Sequence, residues 1–369
     1  MTTHIQFNGK PVERPDAPRV GVIGCGSHSF RNIYPVFRFV PVELAAVCDL
    51  DLGKARAFAE KFGARTAYDD HRKMLAQENL DAVFLIVGYD ANGRPLYPSI
   101  AADCLAAGCH VWMEKPPAAS VAEIVMLEKL SAQHGRHVMT GFKKMFFPAH
   151  EKAKELMDAP EFGNLSLVLL EYPQYIPTLG EMREYAERKS VWPVCGFLDH
   201  LCHPVSLMLY WCGMPESMFY SRSTSGGGVV HFQFANGAVA SLALTCRAAS
   251  DGGLEHSKII SDSRRHIEVH NNNRVIYRRN PPNLAYGASP SYYSGAPGEV
   301  SAIWEPEYSL GVLYNTGLFQ LGYYGEISEF VNSLIERRPP CKATLEHARQ
   351  LTLIFEKFIE GPNRLISLD

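Results

Sequence analysis

The stretch from Arg19 to Asp49 limits the fold of this chain more than any other. It reads as a short apolar strand (Arg19-Val-Gly-Val-Ile23), a glycine turn (Gly24-Cys-Gly26-Ser-His-Ser29), a helix, and a second apolar strand from Val42 to Cys48 that ends at Asp49. Runs this apolar, without polar alternation, belong in a parallel sheet covered by helices on both faces. Gly24 permits the tight turn and Gly26 lets a pyrophosphate approach the backbone, with Ser27, His28 and Ser29 lining the same turn. An acid about 20 residues further on, here Asp49, is placed to bind a ribose 2′-hydroxyl. The third small position, usually Gly or Ala, is Ser29. A carboxylate at Asp49, followed by Leu50 and no cation, favours NAD over NADP.

The remainder of the chain divides at a change of pattern. Residues 1–17 form a polar, proline-bearing lead-in. From 18 to 145, strands (Asp81 to Gly88, His110 to Met113, His137 to Gly141) alternate with helices (Leu52 to Phe62, Ile100 to Ala107, Val121 to His134), which predicts a doubly wound parallel sheet. After a helix at about Pro148 to Met157, period-2 strands dominate: Leu165 to Glu171, Val229 to Phe234, Ala238 to Cys246, Ser257 to Ser261 and His266 to His270. Asn236-Gly237 between two of them is a hairpin signal. Residues 146–369 are therefore expected to form an α+β unit with an open, mostly antiparallel sheet and helices on one face. Residues 281–311 read as a loop-rich insertion, and helices at about 325–336 and 346–358 follow.

Composition narrows the function class. The chain has 369 residues, 46% of them hydrophobic and 20% charged, with a net charge of −3. That balance gives no field for nucleic acid or an anionic membrane surface. The first residues lack an apolar signal core and no run of about 18 apolar residues occurs, so the expected location is the cytoplasm. Nine cysteines without a Cys-x-x-Cys pair point to reduced thiols, not a disulfide framework or zinc site.

Two motifs sit where such a sheet binds ligands. Glu114-Lys115-Pro116 follows the strand His110 to Met113, at its carboxyl end, and Pro116 holds Lys115 extended. The alternative is a surface Lys-Pro turn. Asp199-His-Leu-Cys-His203 lies in an apolar segment; if helical, Asp199 and His203 share a face at i and i+4, and the carboxylate would orient and polarise the imidazole as a general base. Pro204 either kinks that helix or starts it. His200 and Cys202 point off that face, so a metal is not expected, while a plain buried Asp–His pair is the commoner alternative.

Taken together, the Gly24-Cys-Gly26 turn, Asp49, Glu114-Lys115-Pro116, Gly141-Phe142, Asp199-x-x-x-His203 and Thr344-Leu-Glu-His-Ala348 resemble the Gfo/Idh/MocA oxidoreductase family over nearly the whole chain. The resemblance implies a catalytic set of Lys115, Asp199 and His203 acting on a secondary alcohol of a sugar, glycoside or polyol, with hydride passing to NAD. It implies cofactor contacts from Gly88, Tyr89, Glu114 and Lys115 and substrate contacts from Lys115, Lys143, Trp192, Asp199 and His203. It also implies pairing of the open sheet faces in a homodimer or homotetramer. The loop Val87-Gly-Tyr-Asp-Ala-Asn-Gly-Arg-Pro-Leu-Tyr97 departs from the family by its length and by Tyr97 in place of a histidine, and Ser206 stands where relatives often carry Asp. Trp192, Tyr286, Tyr292, Tyr293 and Trp304 are candidates for an aromatic wall against a sugar ring or for a subunit interface. Two rival readings are an enzyme that keeps and recycles NAD while oxidising a glycoside, at C3 for instance, en route to cleavage, and a non-catalytic sensor.

Overall fold

The computed structural model describes residues 15–246, 255–279, 300–306 and 316–368. Six strands form one parallel sheet: β1 (Arg19–Ile23), β2 (Glu43–Cys48), β3 (Thr66–Tyr68), β4 (Ala82–Leu85), β5 (His110–Met113) and β6 (Val138–Thr140). Their order is β3-β2-β1-β4-β5-β6, so the winding reverses between β1 and β4. That reversal opens a crevice at the carboxyl ends of the strands, where open α/β sheets bind ligands. Helices α1 (Leu52–Phe62), α2 (His71–Gln77), α3 (Tyr97–Ala106) and α4 (Val121–His134) connect the later strands. Their ends follow local chemistry: Asp51 Oδ1 accepts from the N–H groups of Gly53 and Lys54 at the start of α1, Gly63 in the left-handed region (φ 80°) ends it, and Ser120 with Glu123 forms a capping box before α4.

The first helix departs from expectation. Ser29–Ile33 is a π turn and Tyr34–Arg38 a 3₁₀ turn. Pro35 lacks the N–H that would pair with the Arg31 carbonyl, so a regular α-helix cannot run through it.

The second sheet has nine strands: β7 (Leu165–Tyr172), β8 (Ser217–Arg222), β9 (Gly228–Gln233), β10 (Val239–Leu244), β11 (His256–Ser261), β12 (His266–His270), β13 (Arg274–Arg278), β14 (Ser301–Trp304) and β15 (Leu365–Ser367). The order is β14-β13-β12-β11-β7-β10-β9-β8-β15, antiparallel except for the parallel pair β7–β10. Of the predicted insertion, residues 300–306 contribute β14 at the sheet edge; Tyr286, Tyr292 and Tyr293 lie outside the described residues.

Helices α5 (Pro148–Met157), α6 (Leu179–Ala186), α7 (Trp192–Cys212), α8 (Thr316–Gln320), α9 (Tyr323–Ile335) and α10 (Leu345–Lys357) complete the chain. Alternation sets the faces of the second sheet: in β7, Val168, Leu170 and Tyr172 are buried while Leu169 and Glu171 between them are exposed. The outward face still carries Leu167, Leu169, Val239 and Ile260, which register opposite or diagonal to one another. Helix α7 is the central buried element, with Val194, Phe197, Leu198, Leu201, Val205 and Met208 all fully buried. It runs unbroken through Pro204, which corrects one of the two sequence alternatives: the helix does not start at Pro204, and His203 lies inside it. Burial on most sides of the helix outweighs the missing hydrogen bond, which costs about 3 kcal/mol.

Candidate active site

The glycine turn is shaped by two different constraints. Gly24 has φ +111°, and a Cβ there would lie 1.9 Å from the Ile86 carbonyl oxygen, so the position admits only glycine. Gly26 meets nothing within 4 Å of its hypothetical Cβ: its open side is space, not packing. Ser27 beside it is exposed, and the buried Ser29 donates to the Gly26 carbonyl at 2.9 Å, which explains why a serine serves as the third small residue. Asp49 sits at the end of β2, where Oδ2 accepts from the Cys25 N–H at 2.8 Å and Oδ1 from the Asp51 N–H at 3.0 Å. The carboxylate thus braces the turn while its remaining lone pairs are free for a diol. An open glycine cradle with a carboxylate 24 residues from Cys25 fits a dinucleotide.

Across the crevice, Glu114 follows β5 and is buried. Its Oε1 lies 2.8 Å from His28 Nε2, and its Oε2 accepts from the Lys115 N–H at 3.1 Å. His28 Nδ1 faces the Asn32 Nδ2 amide at 3.2 Å; with the amide as donor there, Nε2 carries the proton that goes to Glu114. The Lys115–Pro116 peptide is cis. Lys115 Nζ crosses to α7 and donates to Asp199 Oδ1 at 2.8 Å. Burial opposes the charge of this lysine, but the carboxylates of Asp199 and Glu114 outweigh it and hold its pKa above the usual range.

Asp199 does not serve His203 as the sequence suggested. Its Oδ1 accepts from Lys115 Nζ and, at 2.9 Å, from the Tyr89 hydroxyl; the histidine nearest its Oδ2 is His200, at 3.8 Å. Tyr89, expected at the cofactor, directs its hydroxyl here, next to Gly88, whose hypothetical Cβ meets open space. His203 lies one turn further along α7, between the rings of Tyr172 (6.1 Å between centroids) and His200 (6.3 Å). Burial, and then the positive charges of Lys115, Lys143 and Lys144, push its pKa well below that of an ordinary histidine. The imidazole is therefore neutral at physiological pH and able to accept a proton. Ser206 donates to the His203 carbonyl at 3.1 Å.

Lys143 follows Phe142 beyond β6, and its Nζ donates to the Tyr323 hydroxyl at 2.9 Å; burial lowers its pKa. Tyr323 packs edge-on against His28, at 5.8 Å. One turn along α9, the fully buried Glu326 has both carboxylate oxygens without a hydrogen-bond partner, and burial followed by the charge of Glu114 pushes its pKa well up. Sequence reasoning missed Tyr172, Tyr323 and Glu326, which come from distant segments and carry no motif. Trp192, 63% exposed, stands edge-on to Tyr89 at 6.5 Å, at the mouth of the site. Trp304 instead lies on β14 beneath Lys152 Nζ, 4.8 Å from its ring centre. Tyr97 is buried and donates to the Val87 carbonyl at 2.6 Å, tying down the loop that precedes it.

Comparison with known proteins gives two family matches. Residues 18–142 match the oxidoreductase family with an NAD-binding Rossmann fold, and residues 150–271 match the GFO/IDH/MocA C-terminal domain. A D-xylose 1-dehydrogenase (NADP(+)) of Haloferax volcanii is 30% identical over 206 residues, 54% of this chain and 58% of that protein, so the match spans little more than half of the relative. Among solved structures, a dehydrogenase from Chromobacterium violaceum superposes with a TM-score of 0.75 at 21% identity, covering 94% of this chain and 95% of the other. An oxidoreductase from Agrobacterium radiobacter in complex with NAD+, L-tartaric acid and magnesium gives 0.73 at 12% identity, covering 95% and 98%. At these identities the structures speak for the fold alone.

Proposed function

The chain belongs to the Gfo/Idh/MocA oxidoreductase family, and from that premise we propose that it oxidises a secondary hydroxyl of a sugar, glycoside or polyol with NAD as hydride acceptor. The observation that carries this reading is the pair of Lys115, at the carboxyl end of β5, with Asp199 at 2.8 Å, one turn of α7 from His203, which burial and then the charge of Lys115 keep neutral. Gly24, Gly26, Ser27, His28 and Ser29 would hold the pyrophosphate end of the dinucleotide and Asp49 its ribose diol. Nicotinamide, when bound, supplies the hydride acceptor. His203 takes the proton of the substrate hydroxyl. Lys115, which stays charged, donates a hydrogen bond to that oxygen as negative charge develops on it. Asp199 fixes the direction of the ammonium, a role different from the one its spacing to His203 suggested. Trp192 and Tyr89 offer apolar ring faces to the carbohydrate.

Asp49 supports NAD over NADP, because its carboxylate accepts from a free 2′-hydroxyl and repels a 2′-phosphate; the adjoining Leu50 is 94% exposed and brings no cation. The outward apolar face of Leu167, Leu169, Val239 and Ile260 supports a homodimer or homotetramer paired through the open sheet. Nine free thiols, most of them buried, fit a reducing cytoplasm.

The deciding experiment is absorbance at 340 nm with added NAD across free sugars, inositols and glycosides, after a check for cofactor released on denaturation. Steady NADH formation with one class establishes the dehydrogenase and its substrate together. Silence with stoichiometric bound NAD replaces this reading with a recycling enzyme, and silence without cofactor replaces it with a sensor.

A further inference from the structure

The loop between β4 and α3 is built to present a single side chain. Asp90 Oδ1 accepts from the N–H groups of Asn92 (2.8 Å) and Arg94 (2.9 Å), and Tyr89 bridges to Pro95, so the loop folds back on itself. Its tip is pinned to the α6–α7 region. The Gly93 carbonyl accepts from Tyr185 Oη and from Cys195 Sγ, each at 3.2 Å, and the Arg94 guanidinium lies 4.3 Å from the Tyr185 ring centre. A Cβ at Gly93 would come within 2.2 Å of Cys195 Sγ, which leaves no freedom at that point. Between these anchors, the Tyr89 hydroxyl reaches the Asp199 oxygen that also accepts from Lys115.

We infer that Tyr89 is a positioning residue: by sharing Asp199 Oδ1 with Lys115, it arrests the carboxylate and leaves the ammonium available to the reacting oxygen. This rests on the dehydrogenase reading and specifies its site. Rotation of a carboxylate about χ2 is soft, and two donors on one oxygen stop it. The second hydrogen bond also draws negative charge away from the Lys115 pair, so the ammonium is bound less exclusively to Asp199. Burial keeps the phenol protonated, so Tyr89 acts only as a donor. Oδ2 is left turned towards His200 and the open mouth, where Trp192 stands over the ring of Tyr89.

The test is Tyr89→Phe in the full chain, which removes one hydroxyl and keeps the ring. kcat is expected to fall about tenfold, the scale of one hydrogen bond to a charged group, with KM for NAD within about twofold of the parent. In an Asp199→Asn background the same change should have no further effect, because the two residues act as one unit. A second readout needs no turnover. With lysines reductively methylated by 13C-formaldehyde, the resonance absent from Lys115→Arg should titrate at higher pH in Tyr89→Phe, since its ion pair is no longer shared. A raised KM for NAD at unchanged kcat would make Tyr89 a cofactor contact and overturn the inference. So would an unchanged Lys115 titration, or additivity with Asp199→Asn. If the parent oxidises no alcohol, the dehydrogenase reading fails, while the Lys115 titration still decides for or against Tyr89.

Discussion

His28 Nε2 stands 2.8 Å from Glu114 Oε1, and the same carboxylate holds the Lys115 N–H. The turn that would cradle the dinucleotide and the strand end that carries the lysine are therefore one hydrogen-bonded unit. Removing the imidazole frees the turn from β5. His28→Ala is expected to weaken NAD binding about five- to tenfold, on the scale of 1 kcal/mol for one hydrogen bond. Calorimetric titration with NAD measures it, and an unchanged Kd would show that the link has no bearing on the cofactor.

Gly24 and Gly26 should behave oppositely. Gly24→Ala drives a methyl into the Ile86 carbonyl at a φ of +111° and is expected to cost more than about 3 kcal/mol of stability. Gly26→Ala meets only space, so Tm should shift by less than about 2 °C while NAD affinity collapses. Thermal melts beside binding isotherms separate the two; a Gly26→Ala protein that binds NAD normally would put the pyrophosphate elsewhere.

Asp49→Ser removes the anion beside the ribose site. Discrimination between NAD and NADP, read as the ratio of kcat/KM values, is expected to fall by about 100-fold, or roughly 2.7 kcal/mol. An unaltered ratio would mean that Asp49 serves only to brace Cys25.

The acid limb of the kcat/KM profile should have its midpoint below 6.5, because burial and then Lys115, Lys143 and Lys144 hold His203 neutral. Lys143→Met removes one of those charges and should move the limb to higher pH. A profile that does not respond would take His203 out of the role of base.

Stability should also fall on acidification. His110 is pulled down to about 4 by burial and by Arg136, and His150 to about 3 by burial and by Lys144. Both fold neutral, so the unfolded chain binds more protons once the pH drops below 6.5, and stability is lost progressively down to about 4 through His110 and about 3 through His150. Tm measured from pH 7 to 4 reports this, and a flat Tm across that window would contradict it.

Long, well-patterned elements were legible in the sequence. Leu52–Phe62, His110–Met113, Val121–His134, Pro148–Met157 and His266–His270 have the bounds their periodicity and caps predicted. Three-residue strands such as Thr66–Tyr68 and Leu365–Ser367 were not, because their pairing depends on a neighbouring strand and not on their own composition. At the site, Lys115, Asp199 and His203 were found from motifs. The pairing was not: Asp199 had His203 four residues away in sequence, yet its partners lie 84 and 110 residues upstream. No local spacing encodes contacts of that range.

The last helix closes the first sheet. The Val121 N–H donates to Glu356 Oε1 at 3.0 Å across 235 residues, the Thr140 N–H donates to the Ala343 carbonyl at 2.8 Å, and α10 packs on both α4 and α7. In a chain made from its N-terminus, β6 and α4 are synthesised well before the helix that covers them. That surface waits for more than half of the polypeptide to be synthesised before it is sealed. Contacts of such sequence separation form late, and the apolar surface they cover is open in the meantime, the condition under which larger chains misassemble.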